Sequence, residues 1–190
     1  MKSDIKIIEE EHVITSDQKL KWLGYGEWVE EVDRLKFEYL GYDCMIHRVF
    51  QREPYAKQEY YFGGHLCGYV KLPEYHPYYS LECWDMDIEC HGGLTYGEKH
   101  PEYWIGFDCG HSFDVVPSVE FTKYLDKDIQ DLKRKFNLGH SKLFERTYRN
   151  MEYVKEQCIQ IVDQLKNIAF TAMTEAAAES LKEAEDETSN

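Results

Sequence analysis

The chain has 190 residues, 43% of them apolar and 15% aromatic, which is enough material for one compact domain with a helical appendage. Its net charge of −14 argues against nucleic acid as a partner, because phosphate contacts require clustered Lys and Arg. No apolar run reaches the length of a membrane span, and six cysteines without a C-x-x-C pair or an N-glycosylation sequon read as reduced thiols; a cytoplasmic protein without membrane association is expected.

In chain order, Ile5 to Ile8 suggest a leading strand. Ser16 is a good N-cap type, and the pattern after it predicts a short helix interrupted at Gly24 and Gly26 and a second from Glu27 to Leu35, with Trp22, Trp28, Val29 and Val32 as apolar positions. The segment KFEYLGYDCMIHRVF alternates as a β-hairpin does, with Gly41 near its turn. HLCGYVKL reads as a strand ended by Pro73, Asp85 to Cys90 as another, and YWIGFD as the clearest strand of the chain. Leu125, Ile129, Leu132 and Phe136 predict a helix over 119–136. Met151, Val154, Cys158, Ile161, Leu165 and Ile168 predict another, beginning near Thr147, whose apolar stripe packs on the sheet. The expected fold is α+β: a small, mainly antiparallel sheet, helices packed on one face, and a long C-terminal helix. Residues 1–168 form the domain, and 169–190 a helical, acidic C-terminal extension that frays at its end.

Residues 62–114 concentrate the chemistry. Five of the eight histidines lie there (His65, His76, His91, His100, His111), with four of the six cysteines, Asp108, Asp114 and the pairs Gly63-Gly64 and Gly92-Gly93. Glycine beside histidine favours turns that present a polar ring. Between Tyr60 and Asp114 nine acidic residues face two lysines, so a pocket there attracts cations and repels a bare phosphate. A phosphorylated ligand would need backbone amides, a helix N-terminus or a bridging metal.

Several chemistries fit this stretch. Asp108, His111 and Asp114 recur at three-residue steps beyond a strand; with His91 and His76 they offer ligands for a divalent metal, and His76, His91, His111 and Asp114 are the expected set. No H-E-x-x-H or EF-hand spacing is present. Cys109 beside His111 suggests a thiol nucleophile, but flanking carboxylates raise a thiol's pKa, and a small buried hydrophobe is the better reading. Gly110-His111-Ser112-Phe113-Asp114 lacks the last glycine of a serine nucleophile elbow. A pocket without catalysis is also consistent: Tyr69, Tyr96 and Trp104 as walls, with His65, His76 and Asp114 as hydrogen-bonding groups. The plainest alternative is that these histidines and aspartates cap turns.

The blocks GHLCGYV, His76-Pro77, HGGLTY, WIGFDCGHSFD and TYRNMEYVKEQCIQIVDQL resemble a family of small proteins from phage and bacterial genomes. The resemblance runs from about Cys44 to Leu165. It implies that His65, His76, His91, Asp108, Cys109, His111 and Asp114 are motif positions, and it implies no activity. The link GEKHPE is shorter than the loop of such relatives, and residues 119 to 146 and the acidic extension are additions.

The expectation is therefore a small-molecule binding protein, nucleotide-type ligands included, with a His/Asp pocket. In its catalytic form it is a metal-assisted hydrolase using His91, Asp108 and His111. The alternative is a non-catalytic counter-defence factor of phage type, acting in a host cytoplasm by sequestering a ligand or inhibiting a host protein. A further expectation is homo-oligomerisation through the C-terminal helix, along the face of Cys158 and Leu165.

Overall fold

The computed structural model describes residues 4–52, 61–120 and 146–188. Within them a six-stranded antiparallel sheet carries helices on one face. The strands are β1 (Ile5–Glu11), β2 (Arg34–Tyr39), β3 (Tyr42–Arg52), β4 (Tyr61–Leu72), β5 (Tyr96–Glu98) and β6 (Tyr103–Asp108), in the order β1-β2-β3-β4-β6-β5. Helix α1 spans Ser16–Leu23, and α2 spans Met151–Thr188. The expected α+β architecture is thus present. No helix of the described residues is long and apolar enough to cross a membrane.

The expected hairpin is β2–β3. Leu40 and Gly41 form its two-residue turn with φ of 49° and 85°, the left-handed pair that matches strand twist, and Gly41 takes that conformation at no steric cost. Alternation then sorts the sheet into two faces. Leu35, Phe37, Cys44, Ile46, Leu66, Val70, Ile105 and Phe107 point to one side and are buried. Met45, His47, Tyr69 and Trp104 point to the other and are half-buried.

Helix α2 closes the first face. Val154, Cys158, Ile161, Val162 and Leu165 have no exposed surface, and burying each such side chain contributes about 1.5–3 kcal/mol relative to leaving it in water. The apolar stripe read from the sequence is therefore core within one chain, not a face free for self-association. Helix α1 begins with a capping box, Thr15 Oγ1 accepting from the Gln18 amide at 3.2 Å and Gln18 Oε1 from the Thr15 amide at 2.9 Å. Its Leu23 packs where Gly64 leaves space at the end of the same buried row of β4.

A balanced ion network sits beneath α1. Asp33 Oδ1 meets Lys19 Nζ and Arg48 Nε, each at 2.9 Å, and all three side chains are fully buried. Arg48 also donates to Glu31 Oε2 at 2.9 Å, Tyr148 Oη at 2.7 Å and the Gly64 carbonyl at 2.9 Å, while Asp33 Oδ2 accepts from the Ile14 amide at 3.1 Å. Two cations and two carboxylates thus satisfy one another, the condition under which buried charge is tolerated.

Three expected elements differ. The helix over Glu27 to Leu35 is a 3₁₀ turn at Glu27–Val29 followed by β2, because Glu31 and Asp33 are drawn into the ion network, and the Asp33 amide bonds the Glu11 carbonyl at 2.8 Å. Asp85 to Cys90 is not a strand; a 3₁₀ turn over Cys83–Asp85 leads into an irregular segment. The last helix starts at Met151, since Thr147 is engaged in a parallel bridge with Asp114. Of the helix expected over 119–136, all but its first two residues lie outside the described residues.

Candidate functional site

The site forms where β6 runs out. After Asp108 the chain turns, and the Asp114 amide bonds the His111 carbonyl at 2.9 Å. Segment 146–150, on its way into α2, lies beside this turn: the Val115 amide bonds the Thr147 carbonyl and the Thr147 amide the Phe113 carbonyl, each at 3.0 Å. From the other side comes the turn Cys90–Gly93, closed by the Gly93 amide on the Cys90 carbonyl at 3.1 Å. Gly92 has φ of 69°, and a Cβ there would run into the His111 ring, so only glycine lets the two histidines approach. Helix α2 holds this segment through Gln157 Oε1, which accepts from the His91 amide at 2.8 Å, and through Gln164, bonded to both backbone groups of Glu89.

His91, His111 and Asp114 meet at this junction, each offering a ligand atom within 4.8 Å of the others. His91 Nε2 lies 2.8 Å from Asp114 Oδ2, and the two imidazole centroids are 5.3 Å apart. The same Oδ2 accepts from the His111 amide at 3.1 Å, while Oδ1 accepts from Arg149 Nε at 3.0 Å. His111 Nδ1 is 3.4 Å from Oδ2, within ion-pair range, yet makes no aligned hydrogen bond although the atom is buried. Burial alone would raise the carboxyl pKa of Asp114; the bonds from His91 and Arg149 and the His111 amide outweigh it and hold it below the usual range. Exposure is graded across the group, with side chains 1% exposed at Asp114, 13% at His91 and 38% at His111, so an anchored carboxylate stands behind a solvent-reachable imidazole.

His91 Nδ1 lies 3.0 Å from Tyr153 Oη. With the proton on Nε2, the ring donates to Asp114 and accepts from the tyrosine. With a cation on Nε2, the proton moves to Nδ1 and the ring donates to the tyrosine, so His91 keeps a partner in either tautomer. An oriented second nitrogen of this kind is what metal-bound histidines require.

The other expected site residues lie outside this cluster of three. His65 projects from β4 on the open side of the sheet; its Nδ1 is buried without a hydrogen bond, and burial, opposed by Asp108 and Asp114, lowers its pKa. Its Nε2 and the Asp108 carboxylate lie 3.4 and 3.1 Å from the point a Cβ on Gly110 would occupy, so the two side chains share the space that glycine leaves. Asp108 itself caps local backbone, accepting from the Gly110 amide at 2.9 Å and from Thr95 Oγ1 at 3.0 Å. Asp114, not Asp108, is the carboxylate beside His111.

Tyr69, Tyr96 and Trp104 lie on the open face. Tyr69 and Tyr96 meet edge to face at 5.1 Å, and Tyr69 crosses the bare backbone of its cross-strand partner Gly106, where a Cβ would come within 2.6 Å of its ring. His76 is not part of the cluster. It is buried at 3% exposure, its Nε2 bonding the Leu165 carbonyl at 2.9 Å and its Nδ1 accepting from the Tyr78 amide at 3.0 Å, so both nitrogens are committed to joining a 3₁₀ turn to α2.

Arg149, Tyr153 and Gln157 were not among the expected site residues. Tyr153 and Gln157 share one face of α2 at a four-residue step, and Arg149 precedes Tyr153 by the same step in the segment leading into the helix; this spacing is the signal that singles them out. Among the cysteines, all six are free and only Cys90 is not fully buried. Burial, with Asp114 and Asp108 nearby, raises the Cys109 thiol far above its ordinary pKa, so it is a packing residue and not a nucleophile. Comparison of the chain with protein-family models, with curated proteins and with solved structures gives no match.

Proposed function

We propose that the protein binds a small molecule at the His91/His111/Asp114 cluster with the help of a divalent cation, and that it hydrolyses that molecule. The observation that carries this reading is the convergence of two imidazoles and one carboxylate within 4.8 Å, from positions 91, 111 and 114. Two histidines and a carboxylate leave coordination positions open for water and ligand, and a divalent cation brings the pKa of bound water toward neutrality. Such a water's oxygen would bond to the electrophilic centre as its O–H bond broke and gave up a proton, and the centre's bond to its leaving group would break with both electrons staying on that group. His65, its Nδ1 unbonded and its ring near enough to feel the charges of Asp108, Asp114 and His111, is the acceptor we assign to that proton. Tyr69, Tyr96 and Trp104 offer flat apolar surface for a ring, which suits a ligand with a planar part, nucleotide-type molecules included.

Elemental analysis of the purified chain tests the reading. Stoichiometric zinc, manganese or iron in the wild type, lost in His91→Ala and His111→Ala, supports it; a metal-free wild type that takes up none of these ions overturns it.

A second reading, occupancy without catalysis by a counter-defence factor, is favoured by one contact. Arg149 already neutralises Asp114 at 3.0 Å, and a guanidinium beside a cation site opposes the cation. Under that reading the protein is metal-free and carries an intact small molecule through purification, which native mass spectrometry detects.

A further inference from the structure

Arg149 stands at the edge of the His91/His111/Asp114 cluster with most of its donors unclaimed by the protein. Its Nε bonds Asp114 Oδ1 at 3.0 Å, and its guanidinium carbon lies 4.8 Å from the centre of the Tyr153 ring, so the group is fixed at one nitrogen and against one aromatic ring. Its two Nη groups make no hydrogen bond or ion pair among the described residues, and the side chain is 26% exposed. Arg48 is the contrast: it is buried, and each of its three nitrogens is bonded, Nε to Asp33, Nη1 to Gly64 and Tyr148, and Nη2 to Glu31. Lys71 and Lys99, the two lysines between Tyr60 and Asp114, are paired with Glu102 and Glu82. Asp114 divides its oxygens between the two sides of the site. Oδ1 takes the guanidinium, and Oδ2 faces His91 and the His111 amide, where the proposed cation binds.

We propose that Arg149 and the cation held by the cluster together bind a phosphoryl group of the ligand; the inference rests on the cation site proposed above. Charge selects this group. The guanidinium already neutralises Asp114, so with neutral imidazoles a divalent cation at the cluster keeps its charge uncompensated. A phosphoryl group carries about two negative charges at neutral pH and balances it, whereas a carboxylate carries one and does not. Shape selects it as well. The two Nη groups form the end of a planar fork that suits two oxygens of one phosphorus, leaving a third oxygen for the cation. An anion between the guanidinium and the cation attracts both, which offsets their mutual repulsion across Asp114. Cation and phosphoryl group therefore bind cooperatively, each raising the other's affinity by the same factor. Nine acidic residues against two lysines between Tyr60 and Asp114 repel a bare phosphate, and a metal bridge with an arginine from outside that interval admits one.

Calorimetric titration of the full chain with phenylphosphonate, a phosphate-monoester mimic without a hydrolysable ester bond, tests this in the presence and absence of manganese. The manganese-loaded wild type is expected to bind phenylphosphonate, and saturating phenylphosphonate to tighten manganese binding at least about fivefold. Arg149→Gln should weaken phenylphosphonate binding at least about tenfold, and Arg149→Lys, which keeps the charge but not the fork, should weaken it too, both with unchanged far-ultraviolet circular dichroism. Neither variant should bind manganese alone more weakly than the wild type; loss of manganese binding in folded Arg149→Lys would show an arginine that only holds Asp114, and overturns the proposal. Manganese binding without phenylphosphonate binding, or equal phenylphosphonate binding by wild type and Arg149→Gln, overturns it and leaves the cation site standing. Benzoate bound as tightly as phenylphosphonate overturns the assignment to a phosphoryl group. A wild type that binds no manganese overturns the cation site; phenylphosphonate binding to that metal-free chain, abolished in Arg149→Gln, then still supports an anion site at Arg149, and its absence overturns that as well.

Discussion

Gly68 of β4 lies directly beneath Cys158 of α2: a Cβ at position 68 would come within 2.8 Å of the sulfur and 2.7 Å of the Phe107 ring. The long helix rests on the sheet at a point where the strand has no side chain. Gly68→Ala is therefore an overpacking substitution and should destabilise the fold by about 1–3 kcal/mol, read as a lower midpoint in urea at unchanged slope. Cys158→Ala in that background makes room and should recover part of the loss; if it recovers none, the helix is not seated on this glycine.

The ion network makes a second prediction. Asp33 faces two cations with no side-chain exposure at any of the three. Asp33→Asn leaves Lys19 and Arg48 facing each other with one partner fewer, and should cost about 3–5 kcal/mol in chemical denaturation, far more than removal of a surface pair such as Lys6–Glu38. A cost below about 1 kcal/mol would show that water reaches these charges.

Asp114 sets how the site responds to acid. Its carboxyl pKa is lower in the folded chain than in the unfolded one. The stability it contributes is therefore complete above the unfolded value, near 3.9, and lost as pH falls through the folded value. Asp114→Asn should be less stable at neutral pH, by about 1–3 kcal/mol, and should show a shallower decline below about pH 4. Thermal melts of both proteins across that range check the sign; a variant that keeps the wild type's acid slope would contradict it.

His76 separates packing from chemistry. Both of its nitrogens are used in holding the Tyr78 turn against α2, so His76→Ala should lower stability by about 1–3 kcal/mol and leave metal content and ligand binding unchanged in the folded fraction. Loss of metal from a folded His76→Ala protein would return this residue to the site.

Strands β3, β4 and β6 and the covered face of α2 were legible because each buries alternate or three-and-four-spaced residues, and such periodicity survives in a single sequence. Clustering of His91, His111 and Asp114 was legible from glycine turns beside histidine. The role of His76 was not: a histidine followed by proline reads the same whether its ring faces a ligand or a backbone carbonyl. The strand at Arg34–Tyr39 was partly obscured by apolar spacing that also suits a helix, and the competing pull of Glu31 and Asp33 on Arg48 becomes visible only in three dimensions. One sign of the network was present in the sequence, since Arg48 continues the inward alternation of Cys44 and Ile46, where an unpaired charge could not remain.

The most direct test of the proposed site is calorimetric titration of the metal-stripped protein with zinc or manganese. One ion should bind per chain in the wild type, and His111→Ala, which removes the most exposed of the three ligands while leaving the Asp114–Arg149 pair in place, should weaken binding by more than the roughly 10–100-fold that loss of an outer-shell partner brings. Absence of binding in the wild type, or equal binding by wild type and His111→Ala, would contradict a metal centre at this junction.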